Sequence, residues 1–111
     1  MNWKETLNLL EQGVLRAAEP SGSGEWVVNV GVKEAILEAF RNGENHQFEG
    51  IPGGFVDKHT LPPRRFDLRD GIRLVPGGTS VRRGAYLAPG VIVMPPSYVN
   101  TGAYVDEGSL I

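Results

Sequence analysis

The sequence predicts an α+β chain in which a small N-terminal α/β domain (residues 1–70) is followed by the first turns of a three-sided parallel β-solenoid (residues 71–111). Two apolar stripes with helical spacing precede Gly43, and a strict repeat of hexads runs from Val81 to the end of the chain. Glycine and proline contribute 15 and 8 of the 111 residues, which indicates frequent turns. Because a chain of this length supports only one modest core, we expect the two parts to pack against each other.

Two helices are predicted in the N-terminal part. Residues 3–12 carry apolar side chains at helical spacing, and Gly13 follows as a natural end. A second helix is predicted after Asn29, which can cap it, and before Asn42-Gly43. Its apolar stripe consists of Val32, Ala35, Ile36, Ala39 and Phe40.

The segments around the second helix differ in their patterns. Apolar runs at residues 14–18 and 26–30 flank a loop of turn-forming residues, which predicts a hairpin. Residues 44–63 show no sustained period, because glycine and proline interrupt every run. This segment is predicted to be an irregular but packed connector.

Every sixth residue of the last part is aliphatic, and the set comprises Val81, Leu87, Val93, Val99, Val105 and Ile111. A glycine or proline stands three residues after each of the first five, and a small or β-branched residue stands four residues after. Neither the helical nor the simple strand period produces such slots. A triangular coil of three short strands does, with one inward aliphatic side chain on each side. The alternatives are an ordinary Gly-rich loop and an antiparallel meander.

The repeat stops inside a hexad, since Ile111 occupies its first position. Fewer than two turns of a triangular coil are present, and stacked repeats generally need about three units to cover their core. We therefore expect exposed apolar side chains and unpaired strand edges at this end. We therefore expect that the chain is truncated or that a partner completes the repeat.

Composition excludes several classes of function. The absence of cysteine excludes a disulfide framework, a thiolate nucleophile and a cysteine-based zinc site, and it favours a cytoplasmic location. Apolar stretches are too short to span a bilayer, and the N-terminus lacks the pattern of a secretion signal, so no membrane partner is predicted. A pI near 5.6, with acids adjacent to the bases, argues against a nucleic-acid partner.

A positively charged segment marks a candidate anion site. Residues 58–83 hold seven bases and two acids, and Arg73 lies there between two apolar neighbours. A guanidinium offers a fixed fork of donors that suits a carboxylate, so Arg73 is a candidate substrate clamp. The alternative is a partly buried arginine paired with Asp67 or Asp70.

Three further groups are weaker candidates. The glycine-rich stretch 76–80 lacks the lysine and helix of a phosphate loop, which favours a turn into the repeat. His46 and His59 lack metal-ligand spacing, and no metal site is predicted. Asp106 and Glu107 are successive residues on opposite sides of a strand, so they are expected to be solvated and not to act as an acid–base pair.

Several blocks of the sequence resemble tetrahydrodipicolinate N-succinyltransferase. The similar blocks are residues 71–76, 81–86 and 94–108, together with residues 10–19, 25–27, 33–37 and 40–41. The resemblance implies a left-handed parallel β-helix enzyme. Such an enzyme moves succinyl from its co-substrate succinyl-CoA to the amine of acyclic tetrahydrodipicolinate in diaminopimelate and lysine synthesis. It further implies a homotrimer with active sites between neighbouring subunits.

The resemblance assigns one site residue to this chain. Arg73 matches the arginine that binds a carboxylate of the dicarboxylate substrate, whereas the catalytic carboxylates and the coenzyme A channel fall beyond Ile111. No catalytic, cofactor-binding or metal-binding residue is therefore predicted here, and the isolated chain is expected to be inactive. Pro95-Pro96 stands where one proline is expected, which predicts a slight displacement of the second coil, although the hexad register of Val93 and Val99 is kept.

Two alternative functions remain open at this point. One is a non-catalytic assembly or binding module derived from the acyltransferase. The other is a different hexapeptide acyltransferase that acts on another amine or hydroxyl group.

Overall fold

The computed structural model describes residues 2–50 and 54–111, and both α-helices of this part lie in its first half. Helix α1 (Trp3–Glu11) begins where the Asn2 side chain accepts a hydrogen bond from the backbone of Glu5. Helix α2 (Val30–Asn42) occupies the predicted position, but Asn29 makes no side-chain hydrogen bond at its start. Neither helix has the length and apolarity that a bilayer crossing requires.

Two antiparallel hairpins accompany the helices. The predicted hairpin is present, with strands β1 (Ala18–Pro20) and β2 (Trp26–Val28) paired, but its first strand lies at the end of the predicted run 14–18 and extends into the predicted loop. The prediction of an irregular connector is wrong, because strands β3 (Asn45–Phe48) and β4 (Phe55–Lys58) form a second hairpin. Only partly buried side chains support it, chiefly the cross-strand pair Phe48 and Phe55, whose stacked rings lie 4.7 Å apart.

The repeat region, residues 71–111, consists of short strands that pair in parallel. The pairs are β5 (Arg73–Leu74) with β8 (Ile92–Val93), β6 (Thr79–Val81) with β9 (Ser97–Val99), and β7 (Tyr86–Leu87) with β10 (Tyr104–Val105). In the second and third pairs, a residue faces its equivalent three hexads later, as Val81 faces Val99. The chain therefore returns beside itself after three hexads.

The first strand pair departs from this register by one residue, since Leu74 faces Val93 where an exact spacing of three hexads would place Ile92. The segment 75–78 between β5 and β6 has one residue more than the segment 94–96 between β8 and β9. The irregularity thus lies in the Gly77-Gly78 turn. At Pro95-Pro96, Val93 and Val99 on either side are both buried, so the hexad register continues through these prolines as predicted, and the slight displacement of the second coil stays a prediction.

Buried apolar side chains form two clusters. The cluster in the repeat region contains Val81, Ala85, Leu87, Ala88, Val91, Val93 and Val99. The other cluster joins α1 and α2 and contains Leu7, Leu10, Val32, Ala39 and Leu61. Of the later hexad aliphatics, Val105 packs half-buried against the first cluster, and Ile111 is 39% exposed.

Gly84 marks the closest approach of helix α1 to the repeat region. Its backbone φ is +89°, and a Cβ atom there would lie 2.9 Å from Leu7 Cδ2 and closer still to Thr101 Oγ1. Its N–H donates to Glu11 Oε1 at 3.1 Å, and the neighbouring Arg83 donates to Asn8 Oδ1 at 2.9 Å. Only glycine combines this backbone conformation with this contact.

We expect Gly84→Ala to lower the free energy of unfolding by about 2–5 kcal/mol. The cost of a left-handed backbone conformation in alanine and the cost of overpacking against Leu7 and Thr101 add together. Gly90→Ala is the matched control, since Gly90 has the same φ of +89° but its Cβ would meet only the Gly108 nitrogen at 3.7 Å. The control should cost about 1–2 kcal/mol from strain alone. Urea unfolding followed by tryptophan fluorescence measures both values. Equal losses in the two variants would contradict the close packing at Gly84.

An ion pair connects the second hairpin to the repeat region. Arg82 Nη2 lies 2.6 Å from Asp57 Oδ2, and the two side chains are 13% and 35% exposed. Burial raises the pKa of Asp57, but hydrogen bonds from Arg82 and from the backbone of Lys58, together with both positive charges, outweigh it. The pKa of Asp57 therefore lies below its ordinary value.

The folded protein consequently binds the Asp57 proton less readily than the unfolded chain does. The ion pair stabilises the fold fully above about pH 4, where an unfolded aspartate is ionised, and this stabilisation is lost as the pH falls through the folded pKa. We expect the stability difference between wild type and Asp57→Asn to shrink on acidification, in urea titrations at several pH values. Asp106→Asn, at an exposed carboxylate, should follow wild type throughout. A difference that is constant with pH would contradict the assignment.

Candidate functional site

Arg73 follows a short turn that determines where its strand begins. Asp67 accepts a hydrogen bond from the backbone of Arg69 at 2.9 Å, and the Asp70 side chain accepts one from the backbone of Asp67 at 2.8 Å. These reciprocal bonds cap a single 3₁₀ turn, which Gly71 ends with a φ of +71°. Strand β5 then starts at Arg73, so the turn positions this residue at the entrance to the repeat region.

The side chain of Arg73 points to solvent, whereas its neighbours Ile72 and Leu74 pack half-buried against the core of the repeat region. This alternation is that of a strand with one buried face. The backbone N–H of Arg73 donates to Val91 O at 3.0 Å, which anchors the residue in the parallel pair. The guanidinium is thus presented outward from a fixed backbone.

The two acids near Arg73 in sequence have other partners. Asp67 pairs with Arg69 at 2.9 Å, and the hydrogen bonds from Arg69 hold the pKa of Asp67 below its ordinary value. Asp70 is engaged in the turn. Within residues 2–50 and 54–111 the Arg73 side chain makes no hydrogen bond or ion pair, so the alternative of an internal Asp67 or Asp70 pair is not what the structure shows.

Most of the other positive charges in this segment serve internal contacts. Arg64 pairs with Glu11 at 3.5 Å, donates to the carbonyl of Ala85 at 2.9 Å and lies over the Phe66 ring. Arg82 and Arg83 hold the second hairpin and helix α1, as described above. In the described part of the chain, Arg65 resembles Arg73 in having no side-chain partner. Most of the positive charge of residues 58–83 therefore serves contacts within the chain and is not available to a ligand.

A cavity of about 1000 Å³ lies between the second hairpin and the β6–β9 face of the repeat region. We call it the hairpin groove. Its lining includes Phe48 and Phe55 on the hairpin, Leu74, Thr79 and Tyr98 on the repeat region, and Arg65 on the connecting segment. Arg73 is not among its lining residues. Sequence reasoning missed this groove because one of its walls is the hairpin that was predicted to be irregular.

Other candidate residues from the sequence have local roles. His59 Nδ1 accepts a hydrogen bond from the backbone of Glu44 at 3.0 Å, and His46 packs edge-on against Phe48 with ring centres 4.9 Å apart. Asp106 and Glu107 are both exposed, and the Asp106 carboxylate accepts from the Glu107 backbone. In residues 2–50 and 54–111, no three His, Asp or Glu side chains converge as metal ligands would.

The glycine-rich stretch after Val75 forms the turn into β6. Gly77 and Gly78 have φ angles of +103° and +123°, and the Thr79 hydroxyl donates to Val75 O at 2.6 Å. A strand follows the turn, so the stretch lacks the helix N-terminus that a phosphate loop supplies.

A polar network around Asn100 was not predicted from the sequence. Asn100 Oδ1 accepts hydrogen bonds from Arg82 Nη1 at 3.2 Å, from the Tyr98 hydroxyl at 3.1 Å and from the Thr101 backbone at 2.8 Å. Arg82 and Asn100 occupy the same hexad position, three hexads apart. That spacing is the signal that could have identified the contact.

Known sequences match this chain over almost its whole length. The family model described as "Tetrahydrodipicolinate N-succinyltransferase N-terminal" matches residues 3–41. A 2,3,4,5-tetrahydropyridine-2,6-dicarboxylate N-succinyltransferase from Methylobacterium sp. (strain 4-46) is 43% identical, over 95% of this chain and 39% of the relative. Relatives of the same name are 41% identical in Sodalis glossinidius (96% of this chain, 39% of the relative) and 40% identical in Rhodopseudomonas palustris BisA53 (97% and 40%).

The chain therefore spans about two fifths of the length of the curated relatives it matches. The family model covers the helices and the first hairpin, and the pairwise matches extend through the repeat region. The comparisons confirm the resemblance seen in the sequence: this chain is similar to the N-terminal portion of proteins named 2,3,4,5-tetrahydropyridine-2,6-dicarboxylate N-succinyltransferase.

Proposed function

We propose that this chain is the N-terminal portion of an N-succinyltransferase that moves succinyl from succinyl-CoA to the amine of tetrahydrodipicolinate in lysine and diaminopimelate biosynthesis. The observation that carries the proposal is the 43% identity with a relative of that name over 95% of the chain. Amine attack on a thioester needs a general base and donors for the developing oxyanion. The chain covers 39% of that relative, so we assign these groups to the remainder of the full-length protein.

The repeat region begins a left-handed parallel β-helix at residue 71, after an N-terminal domain of residues 1–70. Three parallel strand pairs support this part of the proposal, since two of them join strands exactly three hexads apart and the other exceeds that spacing by one residue. A parallel bridge between Ile92 and Leu110, again three hexads apart, continues the series. The full-length protein is a homotrimer, as the family resemblance implies, and we place it in the cytoplasm.

Arg73 binds one carboxylate of the dicarboxylate substrate. Its side chain is exposed, its backbone is anchored to Val91, and the nearby acids Asp67 and Asp70 are engaged elsewhere. A guanidinium without an internal partner keeps its donors for a ligand, and its planar fork matches a carboxylate in two parallel hydrogen bonds.

We expect the isolated chain, residues 1–111, to show no succinyl transfer, because the proposed base and coenzyme A channel lie outside it. A thiol reagent that detects released coenzyme A measures this directly, since the chain contains no cysteine that would react. The full-length Methylobacterium relative is the positive control. Turnover by the isolated chain would place a catalytic base within residues 1–111.

Joining residues 1–111 to the remaining C-terminal part of the Methylobacterium relative allows Arg73 to be tested in a complete enzyme. We expect Arg73→Ala to raise the KM for tetrahydrodipicolinate about 10- to 100-fold, because one charge-assisted carboxylate contact is lost. The KM for succinyl-CoA should not change. Arg73→Lys should recover part of the loss, since it keeps the charge without the fork.

Arg41→Ala is the control for this experiment, because Arg41 is an exposed arginine in α2, away from the turn that positions Arg73. It should leave both KM values unchanged. An equal rise of both KM values in Arg73→Ala, or no rise, would contradict the role of Arg73. A folded fusion protein without any turnover would contradict the proposed function itself.

A further inference from the structure

We propose that the hairpin groove binds a small organic anion with a flat apolar body, and that Arg65 pairs with its negative charge. This inference goes beyond the proposed function, because Arg73 does not line the groove. It rests on the size of the cavity, the apolar character of its walls and the distribution of charge on its lining.

The size of the hairpin groove suits a small molecule. Its volume of about 1000 Å³ lies at the upper end of the range of small-molecule pockets, which is about 300–1,000 Å³. The walls belong to different segments of the chain, and the Arg82–Asp57 ion pair holds them together at one side. The groove therefore results from the packing of the second hairpin against the repeat region.

The apolar lining provides flat surfaces. Phe48 and Phe55 stack with an interplanar angle of 9°, so the two rings form one layered aromatic wall. Leu61 is fully buried and Leu74 half-buried, while the ring of Tyr98 is 56% exposed. Aromatic faces of this kind favour planar ligands that stack in an offset arrangement.

The charged side chains of the lining leave one arginine available to a ligand anion. Three arginines and two acids contribute, namely Arg64, Arg65, Arg82, Glu49 and Asp57. Arg82 is neutralised by Asp57, and Arg64 is engaged by Glu11 and the Ala85 carbonyl. Arg65 is exposed and has no side-chain partner within the described residues. The exposed Glu49 carboxylate offsets the charge of Arg65 over the lining as a whole, which favours a ligand with a single negative charge placed at Arg65 over a dianion.

Arg65 is the main group that recognises the charge, because most hydroxyl groups of the groove donate within the chain and only that of Ser80 makes no hydrogen bond among the described residues. The Thr79 hydroxyl donates its proton to Val75 O, and the Ser97 hydroxyl donates to Met94 O. A hydroxyl has only one proton to donate, so neither group has a donor left for a ligand anion. An Arg65 guanidinium, by contrast, offers several donors in a planar fork.

The experiment is a titration of the chain, residues 1–111, with 2-naphthoate, followed by ¹H–¹⁵N NMR. The uncharged 2-naphthalenemethanol is the matched probe, because it has the same rings without the carboxylate. We expect naphthoate to shift amide signals of groove residues such as Phe55, Arg65, Ser80 and Tyr98, and to bind more tightly than the alcohol. No localised shifts, shifts centred on the exposed apolar hairpin at Trp26, or equal affinity of both probes would overturn the proposal.

Three variants test the role of Arg65. Arg65→Gln should weaken naphthoate binding at least ~5-fold and leave binding of the alcohol unchanged, because only the charged contact is removed. Arg65→Lys should retain most of the affinity, and Arg69→Gln, a control outside the groove, should retain all of it. The dispersed NMR spectrum of each variant verifies its fold. Unchanged naphthoate affinity in Arg65→Gln would overturn the assignment of the anion to this residue.

Discussion

The stacking of equivalent positions three hexads apart is the constraint on which most of the structure depends. Val81 faces Val99 in the buried cluster, and Tyr86 faces Tyr104 with ring centres 4.7 Å apart. Gly102 donates its N–H to the carbonyl of Gly84 at 2.9 Å, so the turns stack as well as the strands. Because each strand of the repeat has only two or three residues, no single pair is stable alone. Their stability comes from the shared interior and the repeated register.

The same register determines how the N-terminal part is attached. Helix α1 contacts the repeat region where Gly84 provides space for Leu7, and the cation of Arg16 lies 3.8 Å from the centre of the Tyr104 ring. The second hairpin is attached through Asp57 and Arg82. The two buried clusters are therefore coupled through side chains of the first repeats, which explains how a chain too short for two independent cores can keep two clusters.

The parts of the fold that could be predicted are those with a strong period. The hexad spacing identified Val81, Leu87, Val93 and Val99 as interior positions, and helical spacing located both helices. The second hairpin escaped prediction because its strand 45–48 carries three exposed polar residues, and its only apolar cross-strand pair in the described residues is Phe48 with Phe55. Arg73 could be named from the sequence, but its freedom from Asp67 and Asp70 could not, since that depends on the capped turn. The hairpin groove could not be predicted from the sequence, because it forms only where the second hairpin packs beside the repeat region.

The extra residue in the Gly77-Gly78 turn shows where the architecture tolerates changes of length. Leu74 opposite Val93 and Val81 opposite Val99 are paired normally on both sides of this corner, although the two loops differ by one residue. The corner absorbs the insertion, and no interior side chain changes sides. Gly78 and Thr79 also border the hairpin groove. Divergence at this corner can accordingly remodel what the groove admits while the interior of the stack is inherited unchanged.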